Sequence, residues 1–169
     1  AISDKNSKAL EALAKRINIS VFSLYFSLYA ILLNKYSSQK SFCIATPVAN
    51  RDKVEFESMF GFFVNTLAVP IKIKSDLTLT EYLIEFSKRF ESYLSHKDLP
   101  FELVKRGLRE RGIEAEELFK SMFSLEDIPH SELNFKACKF SLADYKKHNS
   151  KFDLSMTLLK SGEFAQKIR

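Results

Sequence analysis

Tryptophan is absent from this 169-residue chain, and glycine and proline occur only four times each. So little of either argues against a disordered or loop-dominated chain. Cysteine occurs twice, at Cys43 and Cys138. Two cysteines make neither a disulfide framework nor a ligand cluster. Both fall in strand-like runs, where a buried free thiol is the expected state. A reducing, cytoplasmic setting suits them. The three histidines, His96, His130 and His148, have no zinc-like spacing, and no metal site is expected. No G-x-S-x-G, P-loop or G-x-G-x-x-G occurs, which removes the common hydrolase, nucleotide and dinucleotide signatures. No basic segment leads into an apolar one at the start, so no signal peptide is expected. The longest apolar run, residues 21–33, is interrupted by Ser23 and Ser27. It is shorter than the ~18–20 residues that a membrane span needs, and no membrane partner is expected.

What the chain does have is apolar mass. Hydrophobic residues make up 46%, and there are 16 phenylalanines. That is enough for one domain, or one lobe of a larger one, with a core packed largely by Phe. The net charge is +5, from 26 basic and 21 acidic residues. Lys105, Arg106, Arg109 and Arg111 cluster, but Glu110, Glu114, Glu116 and Glu117 lie beside them. A second basic stretch holds Lys136, Lys139, Lys146, Lys147 and Lys151. No aromatic–glycine motif accompanies either, so both read as solvated faces rather than nucleic-acid sites. An acidic protein partner would suit them equally.

Residues 4–17 carry Leu10, Leu13, Ala14 and Ile17 at helical spacing. Ser20 caps a second helix through Tyr36 that is apolar on nearly all sides and therefore expected between layers. Phe42–Val48 reads as a buried strand with Pro47 at its end or edge. Residues 50–58 read as a loop or short helix, and 61–73 as strand, kink at Pro70, strand. Thr78 and Glu81 form a capping box for a helix ending near His96. Pro100 suits the first position of another helix, with Asp98 as its cap. Leu118–Leu125, Phe135–Leu142 and Phe152–Leu159 read as three more strands. The order predicts an α/β fold, a two-layer sandwich of a mixed sheet and helices.

Three places could carry chemistry. His96 and Asp98 could make an oriented base; the plainer reading is that Asp98 caps a helix and His96 closes the one before it. Asn65 and Thr66 lie in an apolar run, where an unsatisfied amide would cost ~1–3 kcal/mol. Asn65 therefore either ties down backbone, the expected role, or faces a solvated cavity. Arg51 either pairs at a strand end or reaches into a cavity.

Gly61-Phe62-Phe63-Val64-Asn65-Thr66-Leu67-Ala68 resembles the G-x-F-V-N-T-L/Q-A/C core motif of the condensation domains of nonribosomal peptide synthetases. His96-Lys97-Asp98-Leu99-Pro100-Phe101-Glu102 resembles their next motif, H-Q-D-x-P-F-E. Ala45-Thr46-Pro47-Val48-Ala49-Asn50-Arg51 is similar to their G-T-P-V-A-N-R, and Lys151-Phe152-Asp153-Leu154 to their K-F-D-L. Four segments in order span residues 45–159. Pro70 stands where the family usually has Arg, and Lys97 where it has Gln. Only Arg111-Gly112-Ile113 and Leu118-Phe119 remain of the later R-D-x-S-R-N-P-L motif.

The resemblance implies a chloramphenicol-acetyltransferase-like lobe, one of two that form a V around a tunnel. It implies peptidyl carrier proteins as partners, which bring phosphopantetheine-tethered substrates so that an acceptor amine attacks a donor thioester. No cofactor is expected to bind the chain directly. The family's H-H-x-x-x-D-G motif belongs to the N-terminal lobe and does not occur here, so no catalytic residue is assigned. Residues 1–169 are expected to be a C-terminal lobe without its N-terminal partner, stopping short of its own end and inactive alone. Asn65, Thr66 and Arg51 are the implied tunnel-wall residues. Gly61, Phe63, Val64, His96, Asp98, Pro100, Phe101 and Glu102 are implied to shape the motif. The other readings are a non-catalytic module that docks carrier proteins, and a related ester- or amide-forming acyltransferase. The missing lobe and neighbouring synthetase domains are expected partners, and the lobe alone is expected to form a homodimer through uncovered apolar surface.

Overall fold

The structure, a computed structural model, describes residues 2–114, 120–126, 152–159 and 165–168, the last of these and Glu57 by their backbone only. Helices α1 (Asp4–Arg16) and α2 (Val21–Ser37) both start at serine caps: Ser3 Oγ accepts from Asn6 N–H, and Ser20 Oγ from Ser23 N–H. Ser38, at φ 57°, ends α2 in the left-handed region. Strand β1 (Ser41–Val48) follows, then one turn of helix α3 (Val54–Glu57), strand β2 (Asn65–Lys72), helix α4 (Leu79–Leu94) and helix α5 (Phe101–Arg109). Strands β3 (Ser121–Glu126), β4 (Leu154–Leu159) and β5 (Ala165–Ile168) complete the described elements.

The five strands form one mixed sheet in the order β2-β1-β3-β4-β5. β1 runs antiparallel to β2 and parallel to β3; β3 and β4 are parallel, and β4 and β5 antiparallel. Parallel neighbours put the C-terminal ends of β1 and β3 at the same edge as the start of β2. The motif residues sit at that edge.

Period-two alternation sends Ile44, Leu67, Val69, Ile71, Phe123, Met156 and Leu158 to one face, where they meet α2 and α4. Phe26 of α2 stacks on Phe86 of α4 at 5.3 Å between centroids and meets Phe123 edge-on, at 74°. Phe22 stacks on Phe90 at 5.1 Å. Each such ring contributes about 1.5–3 kcal/mol by burial and about 0.5–1.5 kcal/mol more by pairing. Tyr29 Oη and Ser121 Oγ, 2.6 Å apart, pin α2 to β3, and burial raises the Tyr29 phenol above its ordinary pKa. The expected phenylalanine core and buried second helix are thus observed.

Several expectations need correction. β2 is continuous through Pro70, with no kink, and starts only at Asn65. Among the described strands it lies at one edge of the sheet, where a residue without an N–H costs no ladder bond on the open side. Pro100 is the cap of α5 rather than its first residue, and it brings no side-chain hydrogen bond. Asp98 does not cap that helix. β3 begins at Ser121 rather than 118. Cys43 is half-buried rather than fully buried, and burial still pushes its thiol pKa up. The strand expected at 135–142, Cys138, His130, His148 and the second basic stretch lie outside the described residues.

Candidate functional site: a knot of two motif segments

Asn65 opens β2 beside Val48, the last residue of β1. Its Nδ2 donates to the carbonyl oxygens of Lys97 and Leu99, both at 2.7 Å. Its Oδ1 accepts from its neighbour Thr66 N–H at 2.9 Å and from Phe101 N–H at 3.2 Å. Both amide hydrogens and the carbonyl oxygen are committed to backbone. The Phe101 bond matters most, because Phe101 is the first residue of α5 and the first N–H groups of a helix have no partner within it. Asn65 supplies from β2 the cap that Pro100 cannot. The structural tie is the observed role of Asn65.

Asn50, at φ 48°, also reaches the Lys97 carbonyl through Nδ2, at 3.4 Å. Its Oδ1 is buried without a hydrogen-bond partner among the described residues. Lys97 itself pairs with Asp52 at 2.5 Å. Five bonds thus join residues 50–52 and the start of β2 to the 97–101 turn. Asn50 and Asp52 were not singled out by sequence; the signal available was Asn50 itself, since Asn is the side chain that most readily accepts a left-handed backbone outside Gly.

Arg51 organises the loop between α3 and β2. Its guanidinium donates to the carbonyls of Phe56, Met59 (3.0 Å) and Gly61 (3.3 Å), and lies 4.3 Å above the Phe63 ring. Phe63 also meets Phe56 in a tilted pair, 5.4 Å between centroids. A Cβ at Gly61 would come 3.1 Å from the Phe63 ring, so glycine suits that close approach. While Phe63 turns in, Phe60 and Phe62 turn fully outward, at 106% and 91% exposure, with Met59 and Val64 about half exposed. Among the described residues Arg51 has no ion pair, and its guanidinium is tied to loop carbonyls.

His96 is exposed, and its Nδ1 lies 3.0 Å from Ser92 O and 3.1 Å from Ser95 Oγ, not against Asp98. It closes α4, as the plainer reading expected. Glu102 sits in the first turn of α5, where a carboxylate complements the helix dipole, and pairs with Lys105 at 2.6 Å. Thr66 pairs across the ladder with Pro47 and is half-buried. Among the described residues, no group of His, Cys, Asp and Glu side chains is placed to hold a metal ion, and no single helix is long and apolar enough to cross a membrane. Hydrogen bonds to Asn, Arg and backbone dominate the knot; what it can do is hold two loops at fixed spacing beside an apolar ridge.

A family model described as "Condensation domain" matches residues 1–169. Bacitracin synthase 2 of Bacillus licheniformis is 32% identical over 162 residues, covering 95% of this chain and 6% of that protein. The condensation domain from the monacolin K polyketide synthase superposes with a TM-score of 0.81 at 16% identity, over 99% of this chain and 39% of that one. VibH, described as an NRPS condensation enzyme, gives 0.76 at 18% identity, again over 99% and 39%. At such identity the structural likeness establishes the fold: a mixed sheet with helices, as the motifs implied. The chain spans a small fraction of the curated relatives and about two fifths of those two solved structures.

Proposed function

The chain belongs to the condensation-domain family, and from that premise we propose that it is the C-terminal lobe of a nonribosomal peptide synthetase condensation domain. The parent domain joins two carrier-protein-tethered substrates by an amide bond, the acceptor amine attacking the donor thioester. Peptidyl carrier proteins deliver the substrates on phosphopantetheine arms, in the cytoplasm, as part of secondary-metabolite assembly. The observation that carries this reading is the family match along all 169 residues, joined to so small a share of each longer relative.

In this reading the knot is scaffold. Asn65 fixes the His96–Glu102 segment to the sheet, and Arg51 shapes the loop that bears Phe60 and Phe62. Thr66, beside Asn65, stands at the tunnel side. The proton-handling histidine belongs to the other lobe.

The test is the parent domain with loaded carrier proteins. Amide product is expected, and it should vanish when the second His of an upstream H-H-x-x-x-D-G segment is replaced by Ala. Carrier binding without product would favour the non-catalytic docking module instead. The exposed Phe60 and Phe62 further predict that the isolated chain self-associates. Sedimentation should show a dimer that weakens on Phe60→Ser with Phe62→Ser; a monodisperse monomer at all concentrations would refute that pairing.

A further inference from the structure

The loop between α3 and β2 leaves and rejoins the sheet at one point, because Val48 and Asn65 are ladder partners. Val48 is also a wall of a cleft of about 390 Å³, whose other apolar walls include Phe22 of α2, Phe90 and Leu94 of α4, and Leu125 of β3. The α4 wall is tied to the loop as well. Asn50 and Asn65 both donate to the carbonyl of Lys97, three residues beyond Leu94. The cleft therefore adjoins both ends of the loop.

Phe62 lies three residues before Asn65, a reach of about 10 Å at ~3.3–3.6 Å per residue. It is 91% exposed, and burying an apolar ring is favourable. A cavity of about 150 Å³ already takes a benzene molecule, so this cleft has room for one phenyl ring. Arg51 holds Phe62 out. Its guanidinium holds the Gly61 carbonyl on one side of Phe62 and the Phe63 ring on the other. The Gly61 bond is exposed to water, and a cation over a ring at such a site is a weak restraint. Asn65, with four hydrogen bonds, is a fixed pivot. We propose that residues 61–64 form a strap with two positions: the open one of this structure, clasped by Arg51, and a closed one in which Phe62 enters the cleft against Phe90 and Leu94. Closure takes Phe62 off the exposed ridge, so the strap sets how much apolar surface the chain presents. The inference rests on this local geometry and holds whatever reaction the parent domain performs.

The chain has no tryptophan, so Phe62→Trp supplies a single indole emitter. With Arg51 in place, its emission should be that of an exposed indole, freely quenched by acrylamide. Adding Arg51→Ala removes the ring contact and the carbonyl bonds, and should raise the closed-to-open ratio on the order of tenfold. The readout is a blue shift with reduced quenching, the same at every protein concentration. A further Leu94→Ser, which makes the wall polar, or Leu94→Phe, which fills the cleft, should return the exposed signal; one of the two folded by circular dichroism is enough. No blue shift on Arg51→Ala, a shift that survives in a folded Leu94 variant, or a shift that grows with concentration and so belongs to pairing of two chains, overturns the strap.

Discussion

Asn65 bonds four backbone groups, one on its neighbour Thr66 and three in the 97–101 turn. Asn65→Ala removes all four, and the site is only partly open to water. Chemical denaturation should show a loss of about 1–3 kcal/mol. Asn65→Asp keeps the acceptor for Phe101 N–H but sets a carboxylate against the Lys97 and Leu99 carbonyls. It should be no more stable than the alanine variant; full stability in either would remove Asn65 from its capping role. The sequence could say that this amide needed partners, but not which ones, because Lys97, Leu99 and Phe101 are more than thirty positions away. Arg51 was ambiguous for the same reason: its partners are carbonyls, and carbonyls carry no sequence signature.

Tyr82 gives the residue scale a pH dependence. It is 4% exposed, its hydroxyl lacks a hydrogen-bond partner among the described residues, and burial lifts its pKa to about 12. The folded state thus holds its proton more tightly than the unfolded chain, whose tyrosines ionise near 10. The stabilisation is fully present below pH 10 and is lost as pH rises toward 12. Alkaline unfolding should therefore move to higher pH in Tyr82→Phe, which also removes the unpartnered hydroxyl. An unchanged transition would show that Tyr82 does not control it.

At the scale of elements, α2 and α4 carry the packing and were the easiest to read. The apolar run of α2 and the Thr78–Glu81 box of α4 are local signals, and both appear as expected. Phe26 is 0% exposed and touches rings from α2, α4 and β3. Phe26→Ala should cost about 3–5 kcal/mol, because the cavity has rings on several sides and cannot close. Thr78→Ala removes one cap and should cost only about 1 kcal/mol. A larger loss at Thr78 than at Phe26, measured by denaturant midpoint, would reverse this ranking. The elements misread from sequence depended on distant neighbours. Pro70 is tolerated because β2 lies at one edge of the described strands, and the edge is decided by strand order. The start of α5 is capped from β2, so a search among adjacent residues found Asp98 instead.

At the scale of the molecule, the family and fold were legible from four short segments in order, whereas the knot between them was not. The motifs Gly61–Ala68 and His96–Glu102 are distant in sequence and are joined through the Asn65 amide. That unit holds two loops beside the exposed Phe60 and Phe62 and leaves none of its Asn65 hydrogen-bonding groups for chemistry. Under the proposed function, this lobe would position the substrates' surroundings and the other lobe would supply the reacting histidine. The most direct measurement is amide formation from a loaded donor and a loaded acceptor carrier protein, with the 169-residue chain alone and with its whole parent domain side by side. The account predicts product with the parent domain and none above background with the chain. Product formed by the chain alone, at a rate near the parent's, would contradict it.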